Sequence, residues 1–592
     1  MPLEHFDLKI ASRTLVQASH PPPDFPAVHA VSNLDLVLGP FPIWLVCIYG
    51  PPPCGLDAVL SAVRAALPAY LSRFFPFAGR VVRDPATNIP QVACSNAGAE
   101  LVVADAAVPL AAVDSARVDR SLGLIQIPFD AGLPMSIQLV RFACGGFSLT
   151  VATNHLLADG RAFILLLNSL AEMVRTGGGG LSREPRLDRS LLAPRSPPRY
   201  SPSLDAEFAR FTPETMINPL LAAAIERRLY RIDAADLVGL QRAASAGGRR
   251  RTSRFVALCA HVWKLLARAV GESDPSCRMA WIVDGRKCVE PSDGALDMYV
   301  GNVVTYTSRE ASVAELLRAP LHDVAAAVRA AIAGVMTRDR FQELVDWVEE
   351  NKAAYKDGGK WTEAVNLGLG SPALVISGLL PFTIDGDLGF GKPRLVVPWL
   401  PHGRLGSASV TVVPCPTGDG SWFVGGTRLW PRLVEVIEAG PESLLKPVTA
   451  ASLGFEVSTG THGSRLWSVN SATKPGRHWC EGNLSVVASL PFPTADQLVL
   501  VLVAASGGGS VKCKRHGTHI VLVGTATPDA VMIMPGGASK AAPAPHTRKK
   551  SDVNKFSMAK PPKKASMAAL TATTMAAPPS DAASAQHVFV DC

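Results

Sequence analysis

The stretch "GGFSLTVATNHLLADGRAFILLLNSLAEMVR", residues 145–175, joins two hydrophobic periods across one short turn. Its first part, 145–156, is rich in β-branched and aromatic residues and predicts a strand. Its second, 160–175, has the length and apolar stripe of a buried helix. His155 and Asp159 stand at the junction. A strand-to-helix turn holds side chains rigidly while letting them reach a cleft, so the alternation predicted here bears on both fold and chemistry.

The spacing of the pair decides little by itself, because "HPPPD" (20–24) and "HVFVD" (587–591) repeat it in the same chain. A neutral imidazole titrating near neutrality can take a proton from an alcohol or amine attacking a carbonyl, an effect of about 10²- to 10⁴-fold. Asp159 could orient that ring, cap the following helix, or bind an arginine elsewhere. The plainer alternative is an interface histidine beside a capping aspartate. Both readings stand on these residues alone.

A chain of 592 residues exceeds the size at which one core keeps growing, so at least two structural units are expected. The longest apolar run, "LVLVLVAASGGG" (498–509), ends in glycines well short of the roughly 20 residues of a spanning helix. The opening "MPLEHFDLKI" carries acidic residues and no apolar core, unlike a secretory signal, and a cytoplasmic protein is expected. Eleven cysteines are scattered from Cys47 to Cys592 without a Cys-x-x-Cys pair, which predicts neither disulfides nor a structural metal. The net charge of +8 is uneven: 14 of the 58 Lys+Arg and 7 of the 50 Asp+Glu lie from Glu456 onward, leaving 44 against 43 before it. The main body is electrically balanced, and any argument for a polyanion partner rests on the tail.

Up to about residue 455 the chain reads as alternating strands and helices. "TGGGGLSREPRLDRSLLAPRSPPRYSPS" (176–203) interrupts it as a long crossover. "TSRFVALCAHVWKLLARAV" (252–270) predicts a helix capped by Thr252 or Ser253, and "AELLRAPLHDVAAAVRAAIAGV" (314–335) another long helical stretch. The expected organisation is 1–175, a crossover 176–204, a second half 205–455, an appended segment 456–535 with strand-like runs such as "HIVLVGTA", and a disordered basic tail 536–592.

Several segments occur in one order: "SNLDL" (32–36), "RFFPFAGRVV" (73–82), "CGGFSLTVATNHLLADG" (144–160), "TSRFVALCAHVWKLLARA" (252–269), "VDGRK" (283–287) with "YVGNVV" (299–304), "DGDLGFGKP" (385–393) and "PESLLKPVTAASLGF" (441–455). That order resembles the plant BAHD acyltransferases, which move acyl groups from coenzyme A thioesters to hydroxyls or amines. The resemblance covers about residues 1–455. It implies an α/β, two-domain CoA-dependent acyltransferase fold of the chloramphenicol acetyltransferase type, each half a mixed sheet with helices, followed by a partly disordered C-terminal tail.

Carried onto this chain, the resemblance makes His155 the general base and Asp159 an organiser that points away from the substrate and pairs with Arg286. Asp387, Gly389 and Gly391 match the family's Asp-Phe-Gly-Trp-Gly loop, a structural support, with Leu388 and Phe390 in place of Phe and Trp. Hydroxycinnamoyl-transferring relatives place a tryptophan nine residues before that loop's aspartate, where its N–H helps hold the oxyanion. Here the position is Gly378. "YVGNVV" also lacks the Phe and Cys typical of malonyl-transferring relatives. For the coenzyme A phosphates the start of the helix at Thr252 and Ser253 is the candidate, with the arginines of "GGRRRTSR" (247–254) beside it. Acyl-CoA is then a co-substrate and no cofactor or metal is permanently bound. The expected partners are a small alcohol or amine acceptor in a monomer, with no membrane and no nucleic acid. Two other readings remain: a non-catalytic relative, motivated by Gly378, and a metallohydrolase using His155 and Asp159, which lacks a further ligand motif.

Overall fold

The computed structural model describes residues 6–211, 225–246, 251–289, 296–357, 360–363, 371–380, 382–400, 407–440 and 443–455, with short strands between 485 and 534. The expected tail 536–592 lies outside the described residues. Residues up to Val457 form one compact unit.

The first half builds strands β1 (Leu8–Val16), β2 (Pro42–Tyr49), β3 (Ala99–Ala106), β4 (Met135–Phe142) and β5 (Phe147–Asn154). All eight residues of β2 and of β5 are buried, which is why both read as near-continuous apolar runs. The second half contributes β6 (Glu226–Ile232), β7 (Ser276–Asp284), β8 (Val304–Ser312), β9 (Ala373–Gly378), β10 (Leu395–Trp399), β11 (Ala408–Pro414), β12 (Trp422–Leu429) and the two-residue β13 (Lys446–Pro447).

Two mixed sheets result, in the orders β1-β3-β4-β5-β2-β10 and β8-β7-β9-β11-β12-β6-β13. Strand β10 comes from the second half of the chain but closes the first sheet, pairing antiparallel with β2 from Leu395 opposite Ile48 to Trp399 opposite Trp44. Helical residues Phe341, Leu344 and Trp347 likewise join the first half's core. The halves therefore share strands and core rather than separating at the crossover.

Helix α1 (Asn33–Leu38) carries a capping box between Ser32 and Asp35. Helix α2 (Leu56–Arg73) packs on α3 (Gly160–Arg175), whose span coincides with the apolar stripe of the sequence. Helix α4 (Arg254–Val270) starts at the N-cap Ser253, whose side chain accepts from the Val256 amide at 3.2 Å, and ends at Gly271 with φ +57°. The helical stretch expected over 314–335 is instead two helices, Val313–Arg318 and α5 (Leu321–Val335), because Pro320 cannot continue the first. The crossover holds no strand and no α-helix before Ser203 and is tied down by side chains: Arg189 meets Asp35 at 3.0 Å, and Arg195 meets Asp346 at 2.5 Å.

The second compact unit, 458–584, contains three short paired strands and an antiparallel pair, Lys512–His516 with His519–Val523, the latter inside the expected apolar run.

A buried histidine, His29, and a half-buried one, His261, are expected to make the body acid-sensitive. Burial, reinforced by Arg189, lowers the His29 pKa to about 4, and burial with Arg268 lowers His261 to about 4. Because the unfolded chain binds these protons first, the stability they contribute is complete above pH 6.5 and is lost as the pH falls toward 4, on the order of 3 kcal/mol for each. Urea midpoints at pH 7.5 and 4.5 should show this loss, and His261→Gln should reduce the difference by about half, since His29 remains. A midpoint unchanged between the two pH values would refute the account.

Candidate active site

The end of β5 and the start of α3 position the His155–Asp159 turn. The His155 amide donates to Phe41 O at 2.8 Å, Asn154 Oδ1 accepts from the Leu156 amide at 3.0 Å, and Asp159 Oδ1 caps α3 by accepting from the Ala162 amide at 3.0 Å. Gly160 opens the helix against the Leu379 side chain, whose Cδ2 would have to move aside for a Cβ.

Asp159 does not meet the imidazole. Both its oxygens face Arg286, with Nη1 to Oδ2 at 2.8 Å and Nη2 to Oδ1 at 2.9 Å, and Oδ2 also accepts from the Val303 amide at 2.9 Å. Arg286, 1% exposed, completes its shell with Asp284 Oδ1 and Gly301 O, each at 2.9 Å. Burial alone would raise the Asp159 carboxyl, but the Arg286 charge and the donated hydrogen bonds outweigh it and hold it below its ordinary value. This bidentate clamp joins the first half to "VDGRK" of the second. It also engages the Asp159 oxygens that a metal would need, and among the described residues no cluster of three or more His, Cys, Asp or Glu could hold one.

His155 is partly exposed and lines a channel of about 970 Å³, mouths included, between the two sheets. Ile43, Trp44 and Trp399 form the first sheet's side, and Ile282, Val375, Ser377, Ser409 and Thr411 form the second's. The ring packs on Phe41 with centroids 4.9 Å apart. Burial pushes its pKa below 6.5, partly offset by its own carbonyl, Asp159 and Asn302, so the imidazole is neutral at pH 7.

Sequence reasoning gave no role to Asp35 or Asn302, although both lie in quoted segments. Asn302 Nδ2 donates to His155 O at 2.9 Å and to Asp35 Oδ1 at 2.7 Å, and Asp35 is fully buried on Arg189. A buried aspartate on a short helix was the available signal, since such a charge needs partners.

The loop 385–391 stands away from the channel. Asp387 Oδ1 accepts from the amides of Gly389 (2.8 Å) and Gly391 (3.2 Å), whose φ values of +90° and +116° suit glycine. Arg175, at the end of α3, pairs with Asp385 at 2.8 Å and donates to Asp387 O, while Tyr49 Oη donates to Gly386 O at 2.6 Å. Leu388 fills the core.

Of the two residues expected at the coenzyme A phosphates, Ser253 is exposed at the start of α4. Thr252 is turned inward, which corrects the expectation for its side chain. It is 1% exposed, its hydroxyl donates to Ala244 O (2.9 Å) and accepts from Arg329 (2.6 Å), and its amide donates to Ser245 Oγ (3.0 Å).

Gly378 lines the channel, but the space a side chain would enter there is filled. A Cβ at this position would lie 2.7 Å from Cε2 and 2.9 Å from Cζ of Phe255, on the first turn of α4. Gly378→Trp alone should therefore destabilise the protein by about 1–3 kcal/mol, as overpacked sites do. Pairing it with Phe255→Ala should recover most of that loss. Equal thermal midpoints for the single variant and wild type would show that the ring moves aside freely.

Residues 6–439 match the Transferase family. The chain is 28% identical over 420 residues to the Avena sativa hydroxycinnamoyl-CoA:5-hydroxyanthranilate N-hydroxycinnamoyltransferase, covering 66% of this chain and 90% of that protein. It is also 28% identical over 471 residues to putrescine hydroxycinnamoyltransferase 1 of Oryza sativa subsp. japonica, covering 74% and 97%. Among solved structures, F. graminearum TRI101 complexed with coenzyme A and T-2 mycotoxin superimposes with a TM-score of 0.57 at 16% identity, over 70% of this chain and 98% of that one. With the family matched over most of its length and the paired sheets in place, the chain belongs to the BAHD family of acyl-CoA-dependent acyltransferases.

Proposed function

We propose that this acyltransferase moves a hydroxycinnamoyl, benzoyl or acetyl group from coenzyme A to a hydroxyl or amine of a small plant metabolite or cell-wall precursor, with His155 as the general base. The observation that carries the reading is a neutral imidazole on a channel wall, beside an aspartate held away from it by Arg286. His155 Nδ1 is buried, so Nε2 is the nitrogen that takes the acceptor's proton. The freed oxygen or nitrogen attacks the thioester carbonyl, and the tetrahedral intermediate expels the coenzyme A thiolate without a covalent acyl-enzyme. Asp159 and Arg286 position the turn, while Asp387, Gly389 and Gly391 brace the far end of α3. Ser253 and the first two amides of α4, those of Arg254 and Phe255, receive a coenzyme A phosphate.

Among the described residues no helix is long and apolar enough to cross a membrane, and eight cysteines are free, which fits a cytoplasmic setting.

The test is free-thiol release from hydroxycinnamoyl-, benzoyl-, acetyl- and malonyl-CoA with pooled alcohol and amine acceptors, using the full chain and one ending at residue 455. Acceptor-dependent release with at least one non-malonyl donor is expected from both. No release from folded protein with any pair would overturn the reading in favour of a binding protein.

A further inference from the structure

Asn302, in "YVGNVV" just before β8, is fully buried beside His155, and its amide has only one workable orientation. Nδ2 donates to Asp35 Oδ1 at 2.7 Å, to His155 O at 2.9 Å and to Leu156 O at 3.3 Å. Turned over, Oδ1 would meet those three oxygens with no proton between them. Asp35 is what makes the choice firm. Its carboxylate also takes the Asn302 main-chain amide at 2.9 Å and the Ser32 amide at 2.7 Å, and Arg189 lies 3.0 Å away.

The consequence falls on the far end of the amide. Asn302 Oδ1 is buried without a hydrogen-bond partner, and so is His155 Nδ1. The two side chains are within hydrogen-bonding reach, and the His155 carbonyl that Nδ2 holds is a second acceptor beside the same ring nitrogen. A bare Nδ1 would set its lone pair against both oxygens. A protonated Nδ1 supplies the donor that both lack, after a small turn of the ring.

We infer that Asn302, oriented by Asp35, is the positioning residue that keeps the imidazole proton on Nδ1 and leaves the Nε2 lone pair for the acceptor. This rests on His155 acting as the base, as proposed above. It gives Asn302 the part that Asp159, turned away to Arg286, does not play. When Nε2 takes the proton of the attacking hydroxyl or amine, the Nδ1–H bond to Asn302 Oδ1 becomes charge-assisted, and the Asp35 carboxylate polarises the amide from behind. As the carbon–sulfur bond breaks, Nε2 passes that proton to the coenzyme A sulfur. The ring then returns to the tautomer it started from.

The imidazole nitrogens of the full chain, isotope-labelled through histidine, are read by NMR without turnover, and the His155 signals are those missing from His155→Ala. Wild type at pH 7.5 should show Nδ1 protonated and Nε2 bare. Asn302→Leu, similar in size but without either polar atom, should shift the ring toward the Nε2–H form. In turnover it should lower kcat about 10- to 100-fold, with KM for acyl-CoA near its wild-type value, and add nothing to the loss in a His155→Ala background. The acid limb of kcat/KM should move to lower pH, because the imidazolium loses an acceptor that stabilises it. A turn merely loosened to water would move that limb the other way, toward the ordinary 6.5. The charged groups around the ring are the same in both proteins: Asp35 on α1, Asp159 and Arg161 at the start of α3, Arg189 of the crossover, Asp284 and Arg286 after β7, and Arg428 across the channel.

A bare Nδ1 in wild type, a tautomer that Asn302→Leu leaves unchanged, or an acid limb that moves upward overturns the assignment. If Asn302→Leu does not fold, Asp35→Asn, which removes the charge that orients the amide, should shift the tautomer in the same direction, and an unchanged ring there overturns it too. If no donor and acceptor pair releases thiol, the transfer reading fails by itself. An Nδ1 proton in wild type that the variants displace still supports the role of Asn302.

Discussion

His155→Ala should lower kcat by about 10²- to 10⁴-fold with every productive donor and acceptor, while leaving KM for acyl-CoA near its wild-type value. The split follows from how the turn is held. Its main chain is fixed by the bond from the His155 amide to Phe41 O and by Asn302 on His155 O, and the Asp159–Arg286 clamp closes it from the other side. None of these uses the imidazole, so removing the ring takes away the base and leaves the channel in place. The wild-type profile gives an independent check. Burial holds the imidazole below its usual pKa of 6.5, so the basic form is complete at neutral pH and is lost only as the pH falls through the lowered value. The acid limb of kcat/KM should therefore lie below pH 6.5 and vanish in the alanine variant's residual activity. An undiminished rate in His155→Ala would remove this residue from the chemistry.

How much of this was legible beforehand depended on whether the signal was local. The span of α3 was readable because its apolar stripe, its capping aspartate and its preceding strand are contiguous. The break at Pro320 is equally local, but the apolar periodicity runs through it and masks it. The transfer of β10 to the first sheet was not readable, since nothing in "LVVPW" says which sheet edge it will meet. Thr252 and Ser253 looked alike as caps, and only packing decides that one faces solvent while the other is spent on Ala244 and Arg329. Gly378 read as a vacated tryptophan site, whereas Phe255, 123 residues earlier in the chain, fills the space from another element.

The largest loss of stability is expected from Arg286→Met. The clamp is a buried ion pair, and removing one partner leaves the buried Asp159 carboxylate with two backbone amides and no counter-charge, at a cost of about 3–5 kcal/mol. The sign of its pH dependence distinguishes this cause from a packing defect. In the wild type the Asp159 carboxyl is held below its ordinary value, so the clamp's contribution is present above about pH 4 and lost only as the pH falls through the lowered pKa. Without Arg286, burial is opposed only by the Ala162 and Val303 amides, and the pKa rises from its clamped value. The carboxyl can then protonate at mildly acidic pH, and the variant's deficit relative to wild type should shrink between pH 7.5 and 5. A cavity or a strained methionine would give a deficit that does not change with pH. Asp159→Asn combined with Arg286→Met should recover part of the loss, because no buried charge remains, while kcat stays depressed since the turn carrying His155 is no longer tied to the second half. Urea unfolding of wild type and the two variants at the two pH values settles the matter. A pH-independent deficit, or a double variant no more stable than Arg286→Met, would mean that the clamp's charge is not what holds the halves together.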